Sequence, residues 1–161
     1  MKTRTLIYSI RGIAVMVVLV SLVLAYKNAE ANTSVAEASL PSVVTIYVSP
    51  PPTAPKGTPA GSGSGVVIDS DEGGSYIISN YHVVSKGIST VMVEGKRRKA
   101  NLLGLSEIHD MGLLYMPDVV LPIIPIGNSD LLKQGDWVMV IGSPFSFTKS
   151  VSVGVVSNLT A

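Results

Sequence analysis

The sequence contains no cysteine. A disulfide framework, a thiolate nucleophile and a cysteine-ligated zinc site are therefore excluded. Charged residues are also scarce, at 14% of the 161 residues against 47% hydrophobic ones, and this composition is too apolar for a disordered protein. The formal net charge is only +1. Such a small charge argues against a nucleic-acid partner.

Sequence patterns that bind cofactors or metal ions are missing as well. The chain has no Gly-x-x-x-x-Gly-Lys phosphate loop, no acidic calcium loop and no His-x-x-x-His pair, and it has only two histidines. We therefore expect no cofactor and no metal. The basic run Lys96–Lys99 follows a Val-Glu-Gly turn. We interpret it as a solvated hairpin, not as a nucleic-acid patch.

Residues 1–26 have the pattern of a membrane or export segment. An uncharged apolar run occupies residues 12–26, and three basic residues precede it, Lys2, Arg4 and Arg11. Extended back to Leu6, the run reaches the roughly 20 residues that span a bilayer, which favours a signal-anchor with a cytoplasmic N-terminus. A cleaved signal peptide is the alternative, because Ala29–Ala31 reads small-x-small. Either interpretation exports the remainder of the chain.

The exported part reads as an all-β domain. Residues 27–40 are small and polar and are interpreted as a tether, and residues 50–65 are rich in proline and glycine and are interpreted as a loop. A strand beginning at Pro41 precedes this loop, and short β-branched runs separated by turn residues follow from Val66 onwards. Many short strands with regular turns predict a barrel or a sandwich.

His82 and Asp110 are the candidate chemical residues. His82 comes at the end of a strand-like run, where it is either a hydrogen-bonded core imidazole or a catalytic base at the edge of a cleft. Asp110 directly precedes an apolar run, and a carboxylate entering a buried strand needs a partner such as a histidine N–H. The alternative for Asp110 is a turn cap. The neighbouring His109 is interpreted as a surface loop residue.

Several segments together carry a resemblance to a known family. They read, in order, "GSGSGVVID", "SYIISNYHVV", "GKRRKANLLGLSEIHDMGLLYM", "LPIIPIGNSDLLKQGDWVMVIGSPF" and "VSVGVVSNL". From about Pro41 to Ala161 the chain resembles the HtrA/Deg family of trypsin-like serine proteases, of the membrane-anchored or exported type. The resemblance implies a double β-barrel with the active site between the barrels. It also implies that His82 is the general base and that Asp110 is the acid that orients it.

The serine nucleophile is not found in this chain. The family carries Gly-Asn-Ser-Gly-Gly, whose backbone N–H groups form the oxyanion hole. The chain does contain Gly-Asn-Ser at residues 127–129, but Asp130 and Leu131 follow where glycines are needed. Ser129 is therefore a false match, and three other serines in turns fit no better, Ser62, Ser64 and Ser143. The sequence thus predicts a form truncated before the nucleophile, and inactive as written.

The expected organisation follows from this resemblance. Residues 1–26 form the hydrophobic helix and residues 27–40 the tether. Residues 41–118 form the first barrel, and residues 119–161 begin the second. Protein or peptide substrates are implied, a homotrimer is compatible with the family, and the N-terminal helix attaches the chain to the membrane. The competing hypothesis is a non-catalytic, membrane-tethered barrel that binds peptides or proteins, because strand-rich surfaces can accept an added strand.

Overall fold

The structure, a computed structural model, describes residues 30–58, 60–143 and 149–159. The predicted hydrophobic segment, residues 1–26, lies outside these residues. Within the ranges described, no helix is both long enough and apolar enough to cross a membrane.

The chain divides into two compact units, Met1–Val35 and Ala36–Ala161. Residues 30–39 are helical (α1) and fall in the segment interpreted as a tether. The sequence there is rich in alanine and glutamate, which are strong helix formers. The Ser34 hydroxyl donates a hydrogen bond to the carbonyl of Glu30. The α-helix continues directly into a short 3-10 turn, Leu40–Ser42, after which the first strand begins. The segment is therefore more ordered than its small polar residues suggested.

The second unit is built almost entirely of antiparallel strands. Seven of them form one curled sheet in the order β5-β4-β1-β2-β3-β7-β6. Their bounds are β1 Val43–Ser49, β2 Gly61–Asp71, β3 Gly74–Ser79, β4 Ile88–Val93, β5 Lys96–Lys99, β6 Asn101–Ser106 and β7 Met111–Pro117. A four-residue helix, α2, Tyr81–Val84, connects β3 to β4. The all-β prediction is confirmed. So is the hairpin that contains the basic run, because β5 is that run and pairs with β4.

The predicted loop at residues 50–65 is partly wrong, because β2 already begins at Gly61. Its first residues pair with β1 in continuous register, from Gly61 opposite Val48 to Val66 opposite Val43. This pairing uses backbone hydrogen bonds, which glycine and serine can form as well as other residues. Because glycine has low strand propensity, the composition did not predict this part of β2, which is stabilised by pairing with β1.

The core lies inside the curled sheet. Its buried members are Val44, Ile46, Val48, Val67, Ile77, Val84, Val91, Ala100, Leu114 and Met116. Most come from alternate positions of β1, β3, β4 and β7, as expected of strands with one buried face. Val84 is the contribution of α2, and it is fully buried. The short helix is thus part of the core and is not a surface loop.

The chain after β7 is held against the sheet by a buried hydroxyl. Ser75 is fully buried. Its hydroxyl donates to the carbonyl of Val119 at 2.8 Å and accepts from the backbone N–H of Leu121 at 2.9 Å. Further along, the N–H of Ile124 donates to the carbonyl of Val67. These contacts fix the path of the connection that leads to the second sheet.

The second sheet is a pair of strands, β8 Trp137–Gly142 and β9 Ser150–Val155. The end of β8 is attached to the first sheet through the buried Ser143. Its hydroxyl accepts from Thr45 at 2.6 Å, and its N–H donates to the Ser64 hydroxyl at 2.8 Å. These side chains come from β1 and β2, so the first sheet positions the second.

Two glycines let α2 lie directly on the backbone of the sheet. A Cβ added at Gly63 of β2 would lie 2.7 Å from Cγ1 of Val83, and one added at Gly112 of β7 would overlap Cγ2 of Val84. Valine has little rotamer freedom with which to move away. Side chains at these two positions would therefore push α2 off the sheet.

We expect Gly112→Ala to lower the free energy of unfolding by about 1–3 kcal/mol, the usual cost of overpacking a core. Gly104→Ala is the matched control on the adjacent strand β6, because a Cβ at Gly104 meets nothing within 4 Å. This control should change stability by no more than about 0.5 kcal/mol. Urea unfolding of both variants measures the difference. Equal midpoints would show that Val84 can move away without cost.

Candidate active site

The two candidate residues lie together, and His82 is in an element other than the one predicted. His82 was expected at the end of a strand, whereas β3 ends at Ser79 and His82 belongs to α2. For Asp110 the two interpretations were an entry into a buried strand and a turn, and it is the last residue of the turn that precedes β7. Both side chains are accessible, His82 to 66% and Asp110 to 45%. The site is therefore an open surface and not a buried pocket.

The Asp110 carboxylate binds both the ring and the backbone of His82. Nδ1 of His82 lies 2.8 Å from Oδ2 and 3.0 Å from Oδ1 of Asp110. The backbone N–H of His82 donates to Oδ1 at 3.0 Å. That N–H belongs to the first turn of α2, where it lacks a partner within the helix. One carboxylate thus orients the imidazole and also caps the helix that carries it.

Asn80 was missed as a site residue. Its side-chain amide donates to Oδ2 of Asp110 at 3.0 Å and to the Asp110 carbonyl at 3.3 Å. The only signal in the sequence is its position, two residues before His82. Asp110 itself has a left-handed backbone, with φ of 48°. This conformation costs an L-residue about 1 kcal/mol, less for aspartate than for most. The contacts of its carboxylate compensate for that cost.

Hydrogen bonding favours the ionised form of Asp110. The backbone N–H of His82 lowers the pKa of the Asp110 carboxyl below its usual value. Partial burial opposes this effect, while the His82 ring, by hydrogen bond and by charge, and Asn80 lower the pKa further. Asp110 is therefore a carboxylate at neutral pH and can only accept hydrogen bonds.

This geometry fixes the tautomer of His82. Since an ionised carboxylate only accepts, the proton of the neutral ring resides on Nδ1, and Nε2 keeps its lone pair. A histidine held in this way can take a proton through Nε2, while the carboxylate stabilises the imidazolium that forms. The arrangement can therefore support general-base chemistry at Nε2.

Of the other residues considered from the sequence, Ser62 lines the same groove as His82, but no serine of the described ranges is hydrogen-bonded to the His82 ring. His109 is exposed, and its Nδ1 lies 2.8 Å from the Ser106 hydroxyl, as expected of a loop residue. Ser129 begins a 3-10 turn, where the Asn128 side chain accepts from the N–H of Asp130. Within the part of the chain that the structure describes, no group of three or more His, Cys, Asp or Glu could hold a metal ion.

The depressed pKa of Asp110 predicts a pH dependence of stability. Its ionised form stabilises the folded state above the ordinary carboxyl value of 3.8, and this stabilisation is lost as the pH falls through the lower, folded-state value. Unfolding midpoints of wild type and Asp110→Asn, measured in urea from pH 7 to pH 2.5, test this. We expect the wild type to be more stable at pH 7 and the difference to shrink below about pH 4. A difference that stays constant over the whole range would contradict the assignment.

The chain is similar in sequence to known peptidases. A family model described as a trypsin-like peptidase domain matches residues 63–161. A probable periplasmic serine endoprotease DegP-like of Pseudomonas fulva (strain 12-X) is 41% identical over 97 residues, which cover 59% of this chain and 20% of the relative. A protein of the same description from Chlamydia pneumoniae is 35% identical over 105 residues, covering 64% and 21%. The chain thus spans about a fifth of the length of these relatives.

A solved protein structure is also similar to this chain. The HtrA-type protease AlgW, in a structure with a tripeptide, is 27% identical and superposes with a TM-score of 0.66 over 80% of this chain and 39% of its own. The curled seven-stranded sheet is therefore the barrel of a trypsin-like fold. The chain belongs to the trypsin-like peptidases, in the HtrA/Deg family of serine proteases.

Proposed function

We propose that the protein is a serine endopeptidase that acts on proteins in the cell envelope, with His82 as its general base and Asp110 as its orienting acid. The observation that carries the proposal is the contact between Nδ1 of His82 and the Asp110 carboxylate at 2.8 Å. The DegP-like relatives are described as periplasmic, which supports an exported domain. The apolar run at residues 12–26 supports membrane attachment of that domain.

The proposed reaction is acyl transfer. As the serine Oγ forms a bond to the scissile carbonyl carbon, Nε2 of His82 takes the hydroxyl proton, and the carbonyl oxygen becomes an oxyanion. When the C–N bond breaks, Nε2 returns the proton to the leaving amine. A water molecule then attacks the acyl-enzyme with the same proton transfers, releasing the acid and the free serine. Asp110 stabilises the imidazolium in both halves of the reaction.

We further propose that none of the serines in residues 1–161 is the nucleophile. The residues after Ser129 are Asp130 and Leu131, which lack the freedom of the glycines that shape an oxyanion hole. Ser64 and Ser143 are engaged with one another and with Thr45. A polypeptide restricted to residues 1–161 is thus expected to be inactive.

The main test uses the protein expressed from its complete reading frame, with unfolded casein as substrate. We expect His82→Ala and Asp110→Asn each to lower kcat/KM by about 10⁴-fold, the size of effect known for triad residues. His109→Ala is the matched control, because it removes the other histidine, which is exposed, and it should leave the rate unchanged. Casein hydrolysis that survives His82→Ala would contradict the assigned base.

A second test separates the enzyme from the peptide-binding alternative. A fluorophosphonate probe reacts only with an activated serine, so residues 1–161 alone should remain unlabelled, while the complete protein should be labelled in a His82-dependent way. Labelling of residues 1–161 would contradict the proposal that none of their serines is the nucleophile. Loss of labelling in Ser129→Ala or in Ser62→Ala would then identify the reactive serine. A complete protein that binds casein but is neither labelled nor active would be a non-catalytic binding barrel.

A further inference from the structure

A groove opens beside His82, on the side of α2 that faces β1 and β2. Residues of β1, β2, the loop between them, α2 and the turn after α2 line it: Val48, Pro50, Thr58, Gly61, Ser62, His82, Val83 and Lys86. We call this the His82 groove. Neither Asp110 nor Asn80 belongs to its lining. The groove therefore lies next to the proposed base but apart from the carboxylate that orients it.

Close packing fixes the shape of the groove. Val48 is only 5% exposed and is part of the core. Val83 lies against the backbone of β2 at Gly63, where even a Cβ would come within 2.7 Å of it. On the other side, the backbone of Gly87 lies so near the Ser49 carbonyl that a Cβ there would overlap it. These contacts fix the part of the groove wall that β1, β2 and α2 form.

Among the described residues that line the groove, Lys86 alone carries a permanent charge. Its side chain is exposed, and no carboxylate lines the groove. In the described part of the chain, the single ion pair joins His82 to Asp110, so Lys86 has no carboxylate partner there. An unpaired ammonium at the rim of a groove with an apolar floor favours an anionic side chain beside an apolar one.

The proposed reaction indicates which part of the substrate the groove would bind. Because Nε2 of His82 delivers its proton to the leaving amine, the part of the substrate that follows the scissile bond departs past the imidazole. The His82 groove shares that imidazole. A chain bound in the groove would therefore pass beside the imidazole that protonates the leaving amine.

We propose that the His82 groove binds the two residues that follow the scissile bond, and that Lys86 selects substrates with an aspartate or a glutamate at the second of them. Val48, Pro50 and Val83 contact the first residue. This inference rests on the proposed endopeptidase function, and it adds a substrate class to it. Lys86 acts here as a specificity-determining residue and takes no part in proton transfer.

The test uses two quenched fluorescent peptides based on a cleavage site mapped in casein by mass spectrometry. They differ only in the second residue after the scissile bond, which is Asp in one and Lys in the other. With the protein from its complete reading frame, we expect kcat/KM to be about fivefold higher for the Asp peptide, since partly exposed charge pairs contribute up to about 1 kcal/mol. The preference should weaken between 50 mM and 500 mM NaCl because salt screens exposed charges.

Charge reversal at position 86 is the decisive variant. We expect Lys86→Glu to reverse the preference, so that the Lys peptide becomes the better substrate. Lys96→Glu is the matched control, because Lys96 is equally exposed but belongs to β5, outside the groove. It should keep the wild-type preference.

The outcomes separate this inference from the function on which it rests. Cleavage of both peptides with the same ratio in wild type and Lys86→Glu would overturn the role of Lys86 and leave the endopeptidase intact. If the ratio of kcat/KM for the two peptides also reverses in Lys96→Glu, the preference arises from the overall charge of the protein and not from a contact with Lys86. That result would also overturn the role of Lys86. Failure of the wild type to cleave casein or any of the peptides would overturn the proposed function, and this inference with it.

Discussion

The carboxylate of Asp110 is the contact on which the geometry of the candidate site depends. A helix of four residues cannot hold its own conformation, because helix nucleation is unfavourable and so short an element forms few internal hydrogen bonds. Asp110 supplies an acceptor for the backbone of His82, while Asn80 and the imidazole donate to the same group. The Asp110 carboxylate therefore both orients the His82 ring and stabilises α2.

Close packing against β2 and β7 also fixes the position of α2. Gly63 and Gly112 admit α2 to the surface of β2 and β7, and Val84 then fills the core beneath it. The two kinds of constraint act in different directions. Packing against the glycines sets the distance of the helix from the sheet, while the hydrogen bonds to Asp110 set its rotation. A general base needs both, because proton transfer depends on the distance and the angle of one ring nitrogen.

The pairing of His82 with Asp110 was predicted through the family resemblance, whereas the β class and the basic hairpin were predicted because each has a local signature. Other features have none. Gly61 to Gly65 form a strand only because β1 supplies backbone partners, and α2 is too short to show a helical period. The amide of Asn80 reaches a residue 30 positions away, so only the folded chain reveals its role. Asp110 is more exposed than a residue entering a buried strand, because it lies in the turn before β7, in line with the turn alternative.

The order in which the chain closes its loops follows from the spacing of its contacts. His82 and Asp110 are 28 residues apart, whereas Thr45 and Ser143 are 98 apart. Loop-closure entropy makes the longer connection costlier by about 1 kcal/mol. As a chain emerges from the ribosome N-terminus first, β1 to β7 are available to fold before β8 exists. The contact between His82 and Asp110 can therefore form before β8 is synthesised, whereas attachment of the second sheet through Ser143 requires the chain as far as the end of β8.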